Sequence, residues 1–199
     1  MDNEELTNEI PPKKINYALF AALAALITTA LKAYYLFSEL EAYTPVMVAF
    51  QTVEITAMLL MAAALLIPKK PLFLFGAAAV ENAVILTYWI ILWWIWYGYT
   101  GFWDVLNIVG LLWTAAMTAT AAIPALKKFH DPVTKFYYVA AILSAVYGLL
   151  SNVTYALSYI AFGVTWLLIG MMYRQKIDEE TAEKLRSEMA EAADSGSDE

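Results

Sequence analysis

The sequence predicts an all-α polytopic integral membrane protein, a six-transmembrane-helix bundle with both termini in the cytoplasm. Three observations predict this class. The chain is 61% hydrophobic with a mean hydropathy of +0.58. Several apolar runs reach the length of a bilayer crossing. Lysine and arginine recur between these runs in a pattern that puts nearly all of them on one side of the membrane.

The predicted chain has three parts. Residues 1–14 form an acidic cytoplasmic segment, residues 15–174 form the transmembrane domain, and residues 175–199 form an acidic cytoplasmic tail. The formal net charge of -7 arises mainly from the two acidic ends, so the membrane domain itself is mildly basic. The predicted spans are approximately residues 15–37, 44–67, 71–98, 102–126, 133–150 and 153–174.

The first predicted helix follows two prolines and carries small residues at spacings of three and four. Ala18, Ala21, Ala22 and Ala25 would let another helix approach closely. Lys32 lies in the outer part of this span, and we expect its long side chain to snorkel toward the interface. The alternative is that Lys32 faces the interior of the bundle.

Prolines and turn residues predict where the next helices begin and end. Pro45 suits the first turn of the second helix, after a short acidic connection that contains Glu39 and Glu41. The segment from Pro68 to Pro71 separates the second helix from the third. The fourth helix then extends from about residue 102 to residue 126.

The apolar stretch from Val133 to Tyr173 is too long for one span. As a single helix it would measure ~60 Å, about twice the thickness of the hydrocarbon core. We therefore predict two helices with a tight turn near Ser151 and Asn152. Glycines on either side of this turn would allow the two helices to pack closely: Gly148, Gly163 and Gly170.

The placement of basic residues supports six spans rather than five. With six spans and a cytoplasmic amino terminus, all the basic residues flanking the spans except Lys32 lie on the cytoplasmic side. Merging the last two spans would move Arg174 and Lys176 to the outside. The even number of spans therefore predicts a multi-pass protein of the cell membrane with both ends inside.

Composition excludes several kinds of chemistry. Because the chain has no cysteine, it can form neither a disulfide nor a thiolate metal site. Its single histidine, His130, is predicted to lie in a cytoplasmic loop and cannot build a metal or haem site alone. The acidic first residues predict no cleavable signal peptide. No motif indicates a cofactor, a metal, a catalytic residue or a nucleic acid partner.

Two carboxylates in the second and third helices are the main candidates for a functional site. Glu54 and Glu81 each lie about ten residues into their helix, hence ~15 Å deep and near the midplane of a ~30 Å core. Gln51 shares a helical face with Glu54, and Asn82 follows Glu81. These four residues predict a substrate-binding or ion-binding site. The alternative is that the two acids are neutral or hydrogen-bonded and only hold helices together.

The aromatic end of the third helix admits two interpretations. Tryptophan and tyrosine concentrate at membrane interfaces, so the cluster around Trp89 and Trp93 can be an anchoring belt. It can also form an aromatic wall for a flat or cationic ligand, with Asp104 and Asn107 as its polar rim. Asp104 is equally well placed to stabilise the amino terminus of the fourth helix.

The alanine stripe of the first helix resembles that of a known family. Six spans, cytoplasmic termini and the stripe formed by Ala18, Ala21, Ala22 and Ala25 are similar to the substrate-binding subunits of energy-coupling-factor vitamin transporters. That resemblance covers one helix and implies that the stripe docks another membrane subunit. Stripes of small residues also occur in many other membrane helices.

We therefore expect a small membrane transporter, or a solute-binding or cation-binding membrane protein, that uses midplane carboxylates. The first alternative is a non-catalytic subunit of a larger membrane complex, with the small-residue faces contacting other subunits and the remaining surface contacting the lipid bilayer. The second alternative is a membrane enzyme that acts on a lipid.

Overall fold

A computed structural model of the chain describes residues 15–67, 71–98, 101–126 and 131–195, and every regular element in these ranges is helical. The predicted all-α class is therefore confirmed for these residues. Six α-helices and one 3-10 turn (η1) follow one another in the described ranges: α1 (Tyr17–Ser38), η1 (Leu40–Ala42), α2 (Pro45–Leu66), α3 (Pro71–Tyr97), α4 (Gly101–Leu126), α5 (Asp131–Leu150) and α6 (Val153–Ser195).

Capping side chains fix several helix ends. The Asn16 side chain accepts a hydrogen bond from the Leu19 amide at 3.1 Å and so begins α1. Thr44 caps α2 in the same way through the Met47 amide at 3.3 Å. After α3, Gly98 has a φ of +64°, a left-handed conformation that glycine adopts without a steric penalty at the end of a helix.

The six helices form a closed ring. Each helix packs mainly against the helices before and after it in the chain, and α1 closes the ring by packing against α6. This order follows from short connections between antiparallel neighbours. Large side chains from several helices fill the interior, among them Trp166, Tyr137, Phe162, Met58 and Met117, which are all fully buried.

Glycine permits the close contact between α5 and α6. A Cβ atom added to Gly163 would lie 2.9 Å from the backbone oxygen of Ala141, and one added to Gly148 would lie 3.1 Å from the backbone oxygen of Ala156. Real Cβ atoms rarely come so near to a backbone oxygen. The two helices therefore approach each other at positions where only glycine fits.

The outer surface of the ring is apolar, as expected for a protein whose solvent is lipid. Five helices in the described ranges are long and apolar enough to cross a membrane, and the apolar part of α5, Thr134–Leu150, is shorter. Large hydrophobic side chains such as Ile27, Val84 and Ile142 are more than half exposed on the outside. This is the composition and layout of a helical membrane bundle.

The last helix is much longer than a membrane crossing. α6 has 43 residues, which corresponds to a length of about 64 Å. The sequence predicted a span that ends near residue 174, followed by an acidic tail. In the structure one uninterrupted helix contains both. Its exposed part is supported by pairs of side chains four residues apart, such as Arg174 with Asp178 at 3.1 Å.

The two ends of the bundle differ, and we name them by what they contain. At the terminal face, the start of α1, the end of α2 and residues 172–179 of α6 border a groove of about 370 Å³. The opposite end is the loop face, which contains η1, the end of α3, the start of α4 and the turn at Ser151. Both ends of the described chain therefore lie toward the terminal face.

Some predicted features lie outside the described residues. These are the acidic segment 1–14, the sequence from Pro68 to Lys70 between α2 and α3, and His130.

Candidate functional site

A buried ion pair joins α1 to α2. The ammonium group of Lys32 contacts a carboxylate oxygen of Glu54, and the two residues are only 4% and 8% exposed. The prediction that Lys32 snorkels toward the interface was therefore wrong. Lys32 points into the ring because Glu54 offers an opposite charge there, and the pairing offsets the large cost of burying either charge alone.

An aromatic ring and several hydroxyl groups surround this ion pair. The Lys32 nitrogen lies 5.0 Å from the centre of the Tyr159 ring, within the range of a cation–π interaction. Glu54 is close enough to act electrostatically on the hydroxyls of Tyr43, Tyr147 and Tyr159. The pair is thus held where the connection after α1 and the loop-face halves of α5 and α6 meet.

A cavity of about 450 Å³ lies at the loop face next to the ion pair. Eight of its fourteen lining residues are aromatic. The lining residues come from five helices and two connections: Tyr43, Met47, Gln51, Trp89, Trp93, Phe102, Trp103, Leu106, Tyr147, Leu150, Ser151, Asn152, Tyr155 and Tyr159. We call this space the loop-face cavity. Because Tyr159 lines it and also contacts Lys32, this ring separates the cavity from the ion pair.

Tryptophan rings form one wall of the cavity. Trp93 of α3 and Trp103 of α4 pack with ring centres 4.3 Å apart, and Trp89 lies one turn before Trp93. Trp89 and Trp93 therefore line this open cavity as well as lying near the end of a helix. Whether the cluster anchors the helix at the interface or holds a ligand stays a prediction.

A carboxylate and two tyrosines join the α1–α2 connection to α6 at the mouth of the cavity. The Tyr43 and Tyr155 hydroxyls donate to the same oxygen of Glu39, at 3.0 Å and 2.8 Å, and also contact each other. Burial, followed by the hydrogen bond to Glu39 and the nearby negative charges, raises the pKa of Tyr43 well above its usual value of 10.0. Tyr43 therefore remains a hydrogen-bond donor throughout the physiological pH range.

Packed aromatic and aliphatic side chains close the floor of the cavity. The Trp113 ring lies 5.3 Å from the Tyr147 ring and 5.5 Å from each of the Tyr159 and Phe162 rings. Beneath it, the fully buried side chains of Phe162 and Trp166 continue toward the terminal face. The interior of the ring therefore contains a cavity near the loop face, and buried side chains fill its other half.

The four residues of the predicted carboxylate site lie in different surroundings. Gln51 lines the loop-face cavity, and Glu54 forms the ion pair. Glu81 is partly exposed, and no hydrogen bond or ion pair joins it to Glu54 or to any other described residue. Asn82 is buried and donates to the carbonyl of Ala78, one turn earlier, at 2.8 Å. The partner of Glu54 is thus Lys32 rather than Glu81.

Asp104 and Asn107 lie beside the cavity, one turn apart on α4. Asp104 is in the first turn of that helix, as the alternative interpretation required. One Asp104 oxygen and the Asn107 amide nitrogen are buried without a hydrogen-bond partner among the described residues. Their neighbours Trp103 and Leu106 line the cavity, whereas these two residues are not part of its lining.

The alanine stripe of α1 packs inside the chain's own bundle. Ala21, Ala22 and Ala25 are almost completely buried, and Ala18 borders the groove at the terminal face. Because α1 packs against α2 and α6, these small residues serve contacts within the ring.

Charge is distributed unequally between the two faces. The charged residues that the structure describes at the loop face are all acidic: Glu39, Glu41 and Asp104. Apart from Lys32, the described basic residues belong to the first turns of α5 or to α6 beyond Tyr173. Within the described ranges no cluster of three or more histidine, cysteine or acidic residues could hold a metal ion.

The fold and the site together define a helical membrane bundle with an aromatic cavity open toward one face, beside a buried ion pair. Comparisons with protein-family models, with curated proteins and with solved structures find no match to this chain.

Sequence reasoning did not assign a site role to Lys32, Glu39, Tyr43, Tyr155 or Tyr159. The available signal was the position of Lys32, six residues before the end of an apolar helix and on the same helical stripe as Thr28 and Thr29. The structure buries both threonines. The tyrosines gave no signal, since tyrosine near a helix end is usual at a membrane interface.

Proposed function

We propose that this protein is a carrier that moves a small solute across the membrane and that its transport cycle depends on the Lys32–Glu54 ion pair. The observation that carries the proposal is the position of the buried Lys32–Glu54 ion pair directly behind Tyr159, a wall residue of the loop-face cavity. A cavity of this volume is within the usual range for small-molecule sites. A purely structural subunit would need neither the cavity nor the buried charges.

The chemistry of the pair suits a switch. When the two side chains separate, each becomes a buried charge without its counter-charge. An uncompensated buried charge is costly, so the arrangement of α1, α2 and α6 around it is destabilised. Besides Lys32, the side chains within electrostatic range of Glu54 are Tyr43, Tyr147 and Tyr159, none of which carries a charge that could replace either partner.

The distribution of charge supports an orientation for the protein in the membrane. Cytoplasmic loops of membrane proteins are enriched in lysine and arginine. Lys135, Arg174 and Lys176 lie toward the terminal face, whereas the loop face is acidic. We therefore place both termini in the cytoplasm and the loop-face cavity on the outside. In this arrangement the cavity is accessible from outside, and the packed floor closes the path to the cytoplasm.

The test is solute uptake into proteoliposomes, measured with panels of organic cations, organic anions and neutral solutes. We expect protein-dependent uptake of at least one solute in the wild type and its loss in Glu54→Gln. Glu81→Gln is the matched control, because it removes an acid from α3 that has no described polar partner.

Each result bears on the proposal directly. A Glu54→Gln protein that is folded and still takes up the solute would remove Glu54 from the mechanism. A folded wild type that takes up no solute of any class would contradict the carrier function itself.

A further inference from the structure

We infer that the ligand of the loop-face cavity is a small organic ammonium ion, held on aromatic faces with Glu39 as its counter-charge. The inference deepens the proposed carrier function and rests on it, since it names the class of solute that enters the cavity.

The lining of the cavity is suited to an organic cation. Most of the lining residues are aromatic, and the faces of such rings carry partial negative charge that attracts ammonium groups. Trp89, Trp93 and Trp103 lie on one side, while Tyr43 and Tyr155 lie at the mouth. Attraction to several aromatic rings is strongest where the cation leaves water, as it would in part on entering this cavity.

Glu39 gives the mouth of the cavity its negative charge. Its carboxylate accepts hydrogen bonds from the two tyrosine hydroxyls, at 3.0 Å and 2.8 Å. A hydroxyl that donates to a carboxylate has more electron density on its own oxygen and ring, so each tyrosine attracts a cation more strongly. Glu39 thus acts on the cavity through Tyr43 and Tyr155 without direct contact with the ligand.

The surrounding charges disfavour an anion. None of the fourteen lining residues is charged, and the described charged residues of the loop face are all acids. Lys32 lies behind Tyr159, and Glu54 already neutralises it. An anion in the cavity would therefore lose water and gain no unpaired positive charge in return.

The surfaces also disfavour an inorganic cation. Ions such as Ca²⁺ and Mg²⁺ require several oxygen ligands in contact with the ion. Here one carboxylate oxygen of Glu39 already accepts hydrogen bonds from two hydroxyl donors, and most of the lining residues are aromatic. An ammonium ion with methyl or aryl substituents needs no such ligand shell, and its apolar groups fit the remaining surface.

The experiment compares cations with uncharged molecules of the same shape. Calorimetric titrations of the purified full-length protein would use choline with neohexanol, and phenyltrimethylammonium with tert-butylbenzene, each corrected by a protein-free micelle blank. We expect at least one cation to bind about tenfold more tightly than its isostere, the size of a desolvated cation–π interaction. Equal affinity of cation and isostere, or no cation binding at millimolar concentration, would overturn the inference.

A matched pair of variants tests the role of Glu39. Glu39→Gln removes the charge and keeps an oxygen that accepts hydrogen bonds, whereas Glu41→Gln removes an exposed acid from the same connection. We expect the first to weaken cation binding several-fold without changing isostere binding, and the second to change neither. Equal losses in both variants would show a general surface effect and refute Glu39 as the counter-charge.

These results are independent of the transport cycle. Equilibrium binding requires no flux, so a wild type that prefers cations but takes up no solute would refute the carrier and retain the ligand class. A wild type that transports a neutral or anionic solute, and shows no preference for cations in titration, would retain the carrier function and refute the ligand class. The wild-type comparison also stands alone if Glu39→Gln fails to fold.

Discussion

Lys32 and Glu54 are the residues whose placement matters most for the stability of the bundle. Each is a charge inside an apolar ring, and each is tolerated because the other is there. Removing one partner of a buried pair leaves an uncompensated charge, whereas removing both leaves an apolar contact that costs little.

At the residue scale we predict strong coupling between these two positions. Lys32→Met or Glu54→Met alone should lower the free energy of unfolding by about 3 kcal/mol, and the double variant, which leaves an apolar contact, should lose about 1 kcal/mol or less. Equilibrium unfolding of the purified protein in mixed micelles measures this cycle. A double variant whose loss equals the sum of the single losses would mean that the ion pair contributes nothing.

The residue scale is where sequence reasoning was weakest. Hydropathy and helix length identified Glu54 as an interior acid, because a carboxylate so deep in a helix cannot face lipid cheaply. The same reasoning misplaced Lys32, since its long side chain could have reached the interface. Which side chain meets Glu54 depends on how α1 and α2 rotate against each other, and a single sequence does not contain that information.

At the scale of elements, the order and extent of the helices were accessible from sequence because bilayer thickness limits each apolar run. The turn predicted at Ser151 and Asn152 lies between α5 and α6 in the structure. The length of α6 was not foreseen as one helix. Its polar half continues the helix through contacts four residues apart, among them Gln175 with Glu179 at 3.2 Å.

The close packing of α5 on α6 gives a prediction for this scale. Gly163→Ala should destabilise the bundle by about 1–3 kcal/mol, because the new methyl group would press on the Ala141 carbonyl. Gly101→Ala is the control, since a Cβ atom there meets nothing within 4 Å. Thermal unfolding of both variants in the same detergent checks this, and an equal shift of the unfolding midpoint in both would contradict the packing argument.

At the scale of the whole molecule, the ring creates a cavity that no single helix contains. Its lining residues lie between positions 43 and 159, and they become neighbours only when the first and last helices meet. Sequence reasoning offered Trp89 and Trp93 either as an interfacial belt or as a ligand wall, and it could not supply the tyrosines that line the same cavity. Closure of the ring is a long-range property, and local hydropathy patterns are insensitive to it.

The proposed orientation can be tested on the intact molecule because the chain lacks native cysteine. Single cysteines at Glu41 and Ser187 would place one thiol on the exposed loop-face connection and another on the exposed part of α6. We expect a membrane-impermeant maleimide to label Glu41→Cys in intact cells and Ser187→Cys only after permeabilisation. The reverse pattern would invert the topology.

The continuity of α6 has a mechanical consequence. Tyr155 sits at the cavity mouth near the beginning of this helix, and Ser195 lies at its far end, about 60 Å away. If the helix tilts as a rigid rod by about five degrees around its first turns, the distal tip sweeps through about 5 Å. A small tilt of α6 on occupation of the cavity would thus be magnified at the distal end of the helix, where a spectroscopic probe could follow it.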